Sequence, residues 1–89
     1  MTNDVMSTEE LTNLAAEKVV DARGTACPGP LLEAKKAMPG VQVGNVIEIW
    51  SSDAQTKDDV SAWSAKVGHE FLGQLSADGY DRVFVRRMK

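Results

Sequence analysis

Four short runs rich in β-branched and aromatic residues alternate with two stretches of helical spacing. Lys18-Val19-Val20-Asp21, Val46-Ile47-Glu48-Ile49-Trp50, Phe71-Leu72-Gly73-Gln74-Leu75 and Arg82-Val83-Phe84-Val85-Arg86 read as strands. From Leu31 to Met38 the apolar positions Leu31, Ala34 and Met38 share one helical face, with Glu33, Lys35 and Lys36 mostly on the other. Met38-Pro39-Gly40 stops that helix. A second helix is predicted from about Thr56 to Val67, with Val60, Trp63 and Val67 on its apolar side, Asp58 and Asp59 in its first turn and Lys66 in its last. Gly68 ends it. Ala77-Asp78-Gly79 carries the Asp-Gly signal of a hairpin. The order β-α-β-α-β-β predicts an α/β two-layer sandwich, a mixed four-stranded sheet with both helices on one face.

Residues 1–17 stand apart as an acidic amino-terminal appendage, and residues 18–89 form the predicted domain. The appendage holds Asp4, Glu9, Glu10 and Glu17 and no Lys or Arg, whereas the rest of the chain has nine acids and ten bases. The net charge of −3 therefore belongs to the tail. Ser7-Thr8-Glu9-Glu10 fits a capping box, followed by Leu11, Leu14 and Ala15 at helical spacing. A helix this short needs docking to persist, and a frayed terminus is the competing expectation. The near-neutral domain argues against a nucleic-acid partner. No apolar run has the length of a membrane span, so no membrane association is expected. One cysteine and a polar start predict a reducing, cytoplasmic setting.

The chemistry centres on Cys27, in Gly24-Thr25-Ala26-Cys27-Pro28-Gly29-Pro30. Proline loses nothing in a helix's first turn, where the N–H groups lack internal partners. Placing Pro28 at the first helical position makes Cys27 the N-cap, with its sulfur over the free N–H groups of Gly29 and Leu31. That position favours the thiolate and lowers a thiol from about 8.5 toward roughly 3.5–7.5. The opposing reading is a small buried hydrophobe. Geometry alone leaves both standing. With one Cys and one His no metal site is expected, and no motif calls for a cofactor.

Val20-Asp21 followed by Gly24-x-x-Cys27-Pro28-x-Pro30 resembles the signature of the TusA/SirA-like sulfur-carrier family. Asp53 after the second strand, Gly68-His69 before the third and the final Arg86-Arg87 extend the likeness over residues 18–89. The resemblance implies the β-α-β-α-β-β sandwich and a sulfur carrier rather than a stand-alone catalyst. Cys27 would hold persulfide sulfur, with Pro28, Gly29, Pro30 and Leu31 forming the helix start beneath it. It further implies a donor, a cysteine desulfurase or rhodanese-type protein, and a downstream acceptor protein. Service in tRNA thiolation or cofactor sulfur supply, and carriage of thiosulfate in sulfur oxidation, both fit. The sequence departs from the pattern at Ala26, at Lys66 and in the acidic tail.

Arg23, Lys35 and Lys36 would make a cationic rim for acidic partners or an anionic sulfur group; the competing reading is a solvated face. The resemblance supports Lys35 as a partner contact. Asp53 either caps the turn into the second helix or faces partners. His69 is read as structural, since it follows the far end of that helix, and Trp50 and Trp63 as sheet-face and core residues. Readings from other classes are an RNA-binding module and an adaptor with an inert cysteine.

Overall fold

The computed structural model describes residues 10–11, 13–25 and 29–89. Its elements are β1 (Lys18–Asp21), α1 (Gly29–Ala37), a 3-10 turn (Met38–Gly40), β2 (Val46–Ser51), α2 (Thr56–Val67), β3 (Glu70–Ala77) and β4 (Tyr80–Arg86). The strands lie in the order β1-β2-β4-β3. β1 pairs in parallel with β2, while β4 is antiparallel to both β2 and β3. The sheet is therefore mixed, as the element order predicted, and the hairpin strand β4 inserts between β2 and β3.

Strand alternation divides the sheet into two apolar faces. Ile47 and Ile49 of β2 and Val83 and Val85 of β4 point to one side, where they pack with Ala34, Met38, Val41 and Val60. That cluster holds residues of both α1 and α2, so both helices cover this face. Val46 and Phe84, one residue out of phase, point to the other side and join Leu72 and Leu75. Leu11 completes this second cluster, and Leu14 and Ala16 pack against it.

Leu11, Leu14 and Ala16 thus cover the back of the sheet. Glu10 and Leu11 are helical. Asn13 is in a turn and residues 14–16 are not helical; Leu14 and Ala16 pack against the sheet and Ala15 faces solvent. Ala15 is not on the buried side that helical spacing assigned to it. Glu17 anchors the segment: its N–H donates to Val46 O at 2.8 Å, and its Oε1 accepts from Gln42 N and Asn45 Nδ2 at 2.9 and 2.8 Å. Those donors hold the Glu17 carboxyl below its usual range. The capping residues Ser7, Thr8 and Glu9 lie outside the described residues.

α2 differs from its predicted packing. The buried line is Thr56, Val60 and Ser64, at i, i+4 and i+8, while Trp63 is half-buried and Val67 is 39% exposed. Hydrophobicity alone could not place two hydroxyls inside. They are admitted because each is paired: Ser64 Oγ donates to Val60 O and Thr56 Oγ1 bonds Ser51 Oγ, both at 2.7 Å. Gly68 ends α2 at φ 86°, with its N–H bonded to Ser64 O.

Candidate functional site at the carboxyl ends of β1 and β2

In open α/β sheets, ligands meet the loops beyond the carboxyl ends of parallel strands. β1 and β2 end together here, with Ala22 N–H donating to Trp50 O at 2.9 Å. The loop after β1 then crosses to the loop after β2. Gly24, at φ 81°, donates its N–H to Ser52 Oγ at 2.9 Å. Thr25 N–H returns to Ala22 O at 3.2 Å. Gly24, Thr25 and Ser52, with Asp53 and Ala54, line a shallow hollow of about 380 Å³.

Gly29 opens α1 and lies directly against Thr25: a Cβ at Gly29 would fall 2.0 Å from Thr25 Cγ2. Thr25 and Gly29 flank Ala26-Cys27-Pro28 in sequence, and these two flanking residues lie against each other. Pro30 is buried in the first helical turn and Leu31 packs on the core cluster. Residues 26–28 lie outside the described residues, and with them the expectations that Cys27 caps α1 and that Pro28 takes the first helical position.

Asp53 organises the neighbouring turn. Its Oδ1 accepts Gln55 N–H at 2.8 Å, its carbonyl accepts Thr56 N–H at 3.2 Å, and its own N–H donates to Ser51 Oγ at 3.0 Å. The three basic residues of the expected rim do not converge. Lys36 pairs with Glu33 at 3.3 Å on the exposed side of α1. Lys35 lines a separate hollow with Pro39, Trp63, His69 and Arg87, where the helices end. Arg23 turns to the back of the sheet, forks onto both Asp21 carboxylate oxygens at 2.8 Å and lies 4.9 Å from the ring centroids of Trp50 and Tyr80. Hydrogen bonding to Arg23 lowers the Asp21 carboxyl below its usual range.

His69 sits at the other end of β2 from the Gly24–Ser52 contact. It lies edge-on to Trp63 and its Nδ1 accepts Met88 N–H at 3.1 Å. Burial, then the charges of Arg87 and Lys89, hold its imidazole below the ordinary histidine value.

Sequence reading missed one cluster altogether. Glu48 is 5% exposed, on the same face as Trp50, and accepts from Trp50 Nε1 and from Arg82 Nε, the latter at 2.7 Å. The available signal was a carboxylate within the apolar run Val46–Trp50, which requires a partner cation.

With this geometry in view, the chain matches the family model described as Sulfurtransferase TusA over residues 18–87. It belongs to that family. It is 44% identical over 71 residues to a candidate sulfur carrier protein of Archaeoglobus fulgidus, a match covering 80% of this chain and 97% of that one. Against the sulfur carrier protein TusA of Pseudomonas entomophila it is 29% identical over 77 residues, 86% of this chain and 96% of that one. The SirA-like crystal structure from Desulfitobacterium hafniense shares the fold, with TM-score 0.70 at 23% identity over 81% of this chain and 99% of the other. No helix among the described residues is long and apolar enough to cross a membrane.

Proposed function

We propose that the protein is a sulfur carrier whose Cys27 takes sulfane sulfur from a donor, holds it as a persulfide and passes it to an acceptor. The observation that carries this reading is the family match across residues 18–87, which includes the chain's one cysteine between β1 and α1. In the loading step the Cys27 thiolate attacks the outer sulfur of a donor persulfide. A new S–S bond forms at Cys27, the donor's S–S bond breaks and the donor leaves as its thiolate. Unloading is the same exchange with the acceptor's thiolate attacking, and neither step needs an external oxidant. With no second cysteine in the chain, the bound sulfur cannot be lost to an internal disulfide.

A cysteine desulfurase or rhodanese-type protein is the donor class that this chemistry requires, and a reducing cytoplasm keeps the thiol available. Lys35, Lys36 and Asp53 are offered to these partners as polar contacts around α1 and the β2–α2 turn. Intact-mass measurement after incubation with a persulfide donor tests the reading. The expected adduct is about 32 Da on the wild type and absent on Cys27→Ser. An adduct that persists on Cys27→Ser, or a wild type that takes none, overturns it. The heavier mass of bound thiosulfate would instead change the cargo to Cys27–S–SO₃⁻.

A further inference from the structure

A hollow of about 490 Å³ lies where α1 and α2 end, at the other end of β2 from the Gly24–Ser52 contact. Small-molecule sites have volumes of roughly 300–1,000 Å³. Met38, Trp63 and Val67 give this one an apolar lining, in which Trp63 is half-buried and Val67 is exposed. Cations from three parts of the chain stand around it: Lys35 in the last turn of α1, Lys66 in the last turn of α2, and Arg87 and Lys89 beyond β4. Among the described residues no Asp or Glu lines the hollow, and none of these four cations has an Asp or Glu within ion-pair distance.

Arg87 builds the wall. Its guanidinium donates to Val41 O at 2.6 Å, to Pro39 O at 3.3 Å and to Lys89 O at 2.8 Å, which ties the end of β4 to the turn after α1. Lys89 crosses the end of α2. A Cβ at Gly68 would fall 2.5 Å from Lys89 Cε and 3.0 Å from its Nζ, so the bare glycine is what admits the lysine. His69 adds a neutral donor: its Nδ1 accepts Met88 N–H, so the ring proton sits on Nε2, which has no oxygen acceptor among the described residues. Lysines in a last turn also complement the helix dipole. That accounts for Lys35 and Lys66 one at a time. It does not bring Arg87, Lys89 and the His69 donor to the same apolar floor.

We propose that this hollow binds a small organic phosphate, with a flat apolar body on Met38, Trp63 and Val67 and the doubly charged head held by Lys35, Lys66 and Lys89. Ammonium groups act on phosphate as point charges, and several of them without acidic partners favour a dianion over a monoanion. The site goes beyond the carrier reading. It shares only Lys35 with the residues offered to partners and uses no residue between Gly24 and Gly29.

His69 is the chain's one histidine, so its imidazole proton signals report on the hollow without ambiguity. Proton NMR of the full chain is followed during titration with phenyl phosphate, inorganic phosphate and phenol. Phenyl phosphate should shift the His69 signals saturably, with a Kd of about 1 mM or lower. Inorganic phosphate should bind about fivefold more weakly, and phenol should shift nothing. The bound dianion offsets the Arg87 and Lys89 charges that oppose protonation, so the His69 midpoint should rise toward the ordinary 6.5. Lys35→Gln with Lys66→Gln, both at exposed positions, should weaken phenyl phosphate by about tenfold. Lys89→Gln should weaken it in the same direction and keeps the test open should the double variant not fold, as read by near-UV circular dichroism. Absence of a saturable shift overturns the proposal. So does inorganic phosphate binding as tightly as phenyl phosphate, which would leave the apolar floor without a role, and so do folded lysine variants of undiminished affinity. Failure of the carrier reading is separable: a chain that binds phenyl phosphate and takes no sulfur from a persulfide donor keeps this site and loses that cargo.

Discussion

Two cases show how a polar side chain fixes its surroundings. His69 must stay neutral to accept the Met88 N–H at Nδ1, and burial, Arg87 and Lys89 all oppose its protonation. Its folded pKa is depressed below the unfolded value of 6.5, so the folded state binds fewer protons than the unfolded one in that range. Its contribution to stability is full above 6.5 and is lost as pH falls through the folded value. His69→Asn retains an acceptor and removes the titration. The urea midpoint of the wild type should therefore fall more than that of His69→Asn between about pH 7.5 and about pH 5.5; parallel falls would refute the assignment. Ser51 and Thr56 form the second case, two buried hydroxyls 2.7 Å apart. Ser51→Ala strands the Thr56 hydroxyl and also removes the acceptor of Asp53 N–H, at an expected cost of about 1–3 kcal/mol. Adding Thr56→Val should recover part of that loss in a denaturant double-mutant cycle, whereas simple additivity would show that the hydroxyls do not interact.

At the level of elements, β3 is the least regular part of the sheet. Leu72 and Leu75 are three residues apart, and an unbroken strand would send them to opposite faces. A register shift between Phe71 and Gly73 puts Phe71 with the helices and both leucines behind the sheet. Gly73 sits within the irregularity at φ 139°, a conformation that side chains disfavour. Gly73→Ala should lower the melting temperature, by a stability loss of about 1 kcal/mol or more, with the same fold by circular dichroism; an unchanged melt would mean that the shift is not held by the glycine. The element list and the two-layer architecture were legible because strand and helix periods differ and because Gly and Pro mark the ends. The bulge was not, since Phe71-Leu72-Gly73-Gln74-Leu75 reads equally well as a regular strand. Nor was the insertion of β4 between β2 and β3, which depends on pairing between segments remote in sequence. The α2 stripe was misread because Thr56 and Ser64 enter the core only through hydrogen bonds that hydropathy does not register. At the site, the break after β1 near Gly24 and a helix beginning beside Pro30 were legible from the glycines and prolines, while Cys27 lies outside the described residues. The anchor of Arg23 was not legible, because Trp50 and Tyr80 reach it from other strands.

On the scale of the whole molecule, the sheet has to be covered on both sides, and the two covers differ in kind. Helices α1 and α2, both inside the family match, cover one face; Leu11, Leu14 and Ala16, all ahead of residue 18, cover the other. Leu11 is 1% exposed, and burying a leucine side chain is worth about 1.5–3 kcal/mol. That is a large share of the net stability of a domain this small, typically a few kcal/mol. Without the segment, Val46, Leu72, Leu75 and Phe84 would form a contiguous apolar surface flanked by the Arg86–Glu70 and Arg82–Glu48 pairs. Two outcomes follow for a chain shortened to begin at Lys18. Its melting temperature should drop, and light scattering should show self-association that grows with protein concentration, since a second copy is the nearest available cover. Leu11→Asp in the full-length chain should give the same behaviour by placing a charge where the side chain is buried. A shortened chain as stable and as monomeric as the full one would mean that the segment rests on the sheet without sealing it.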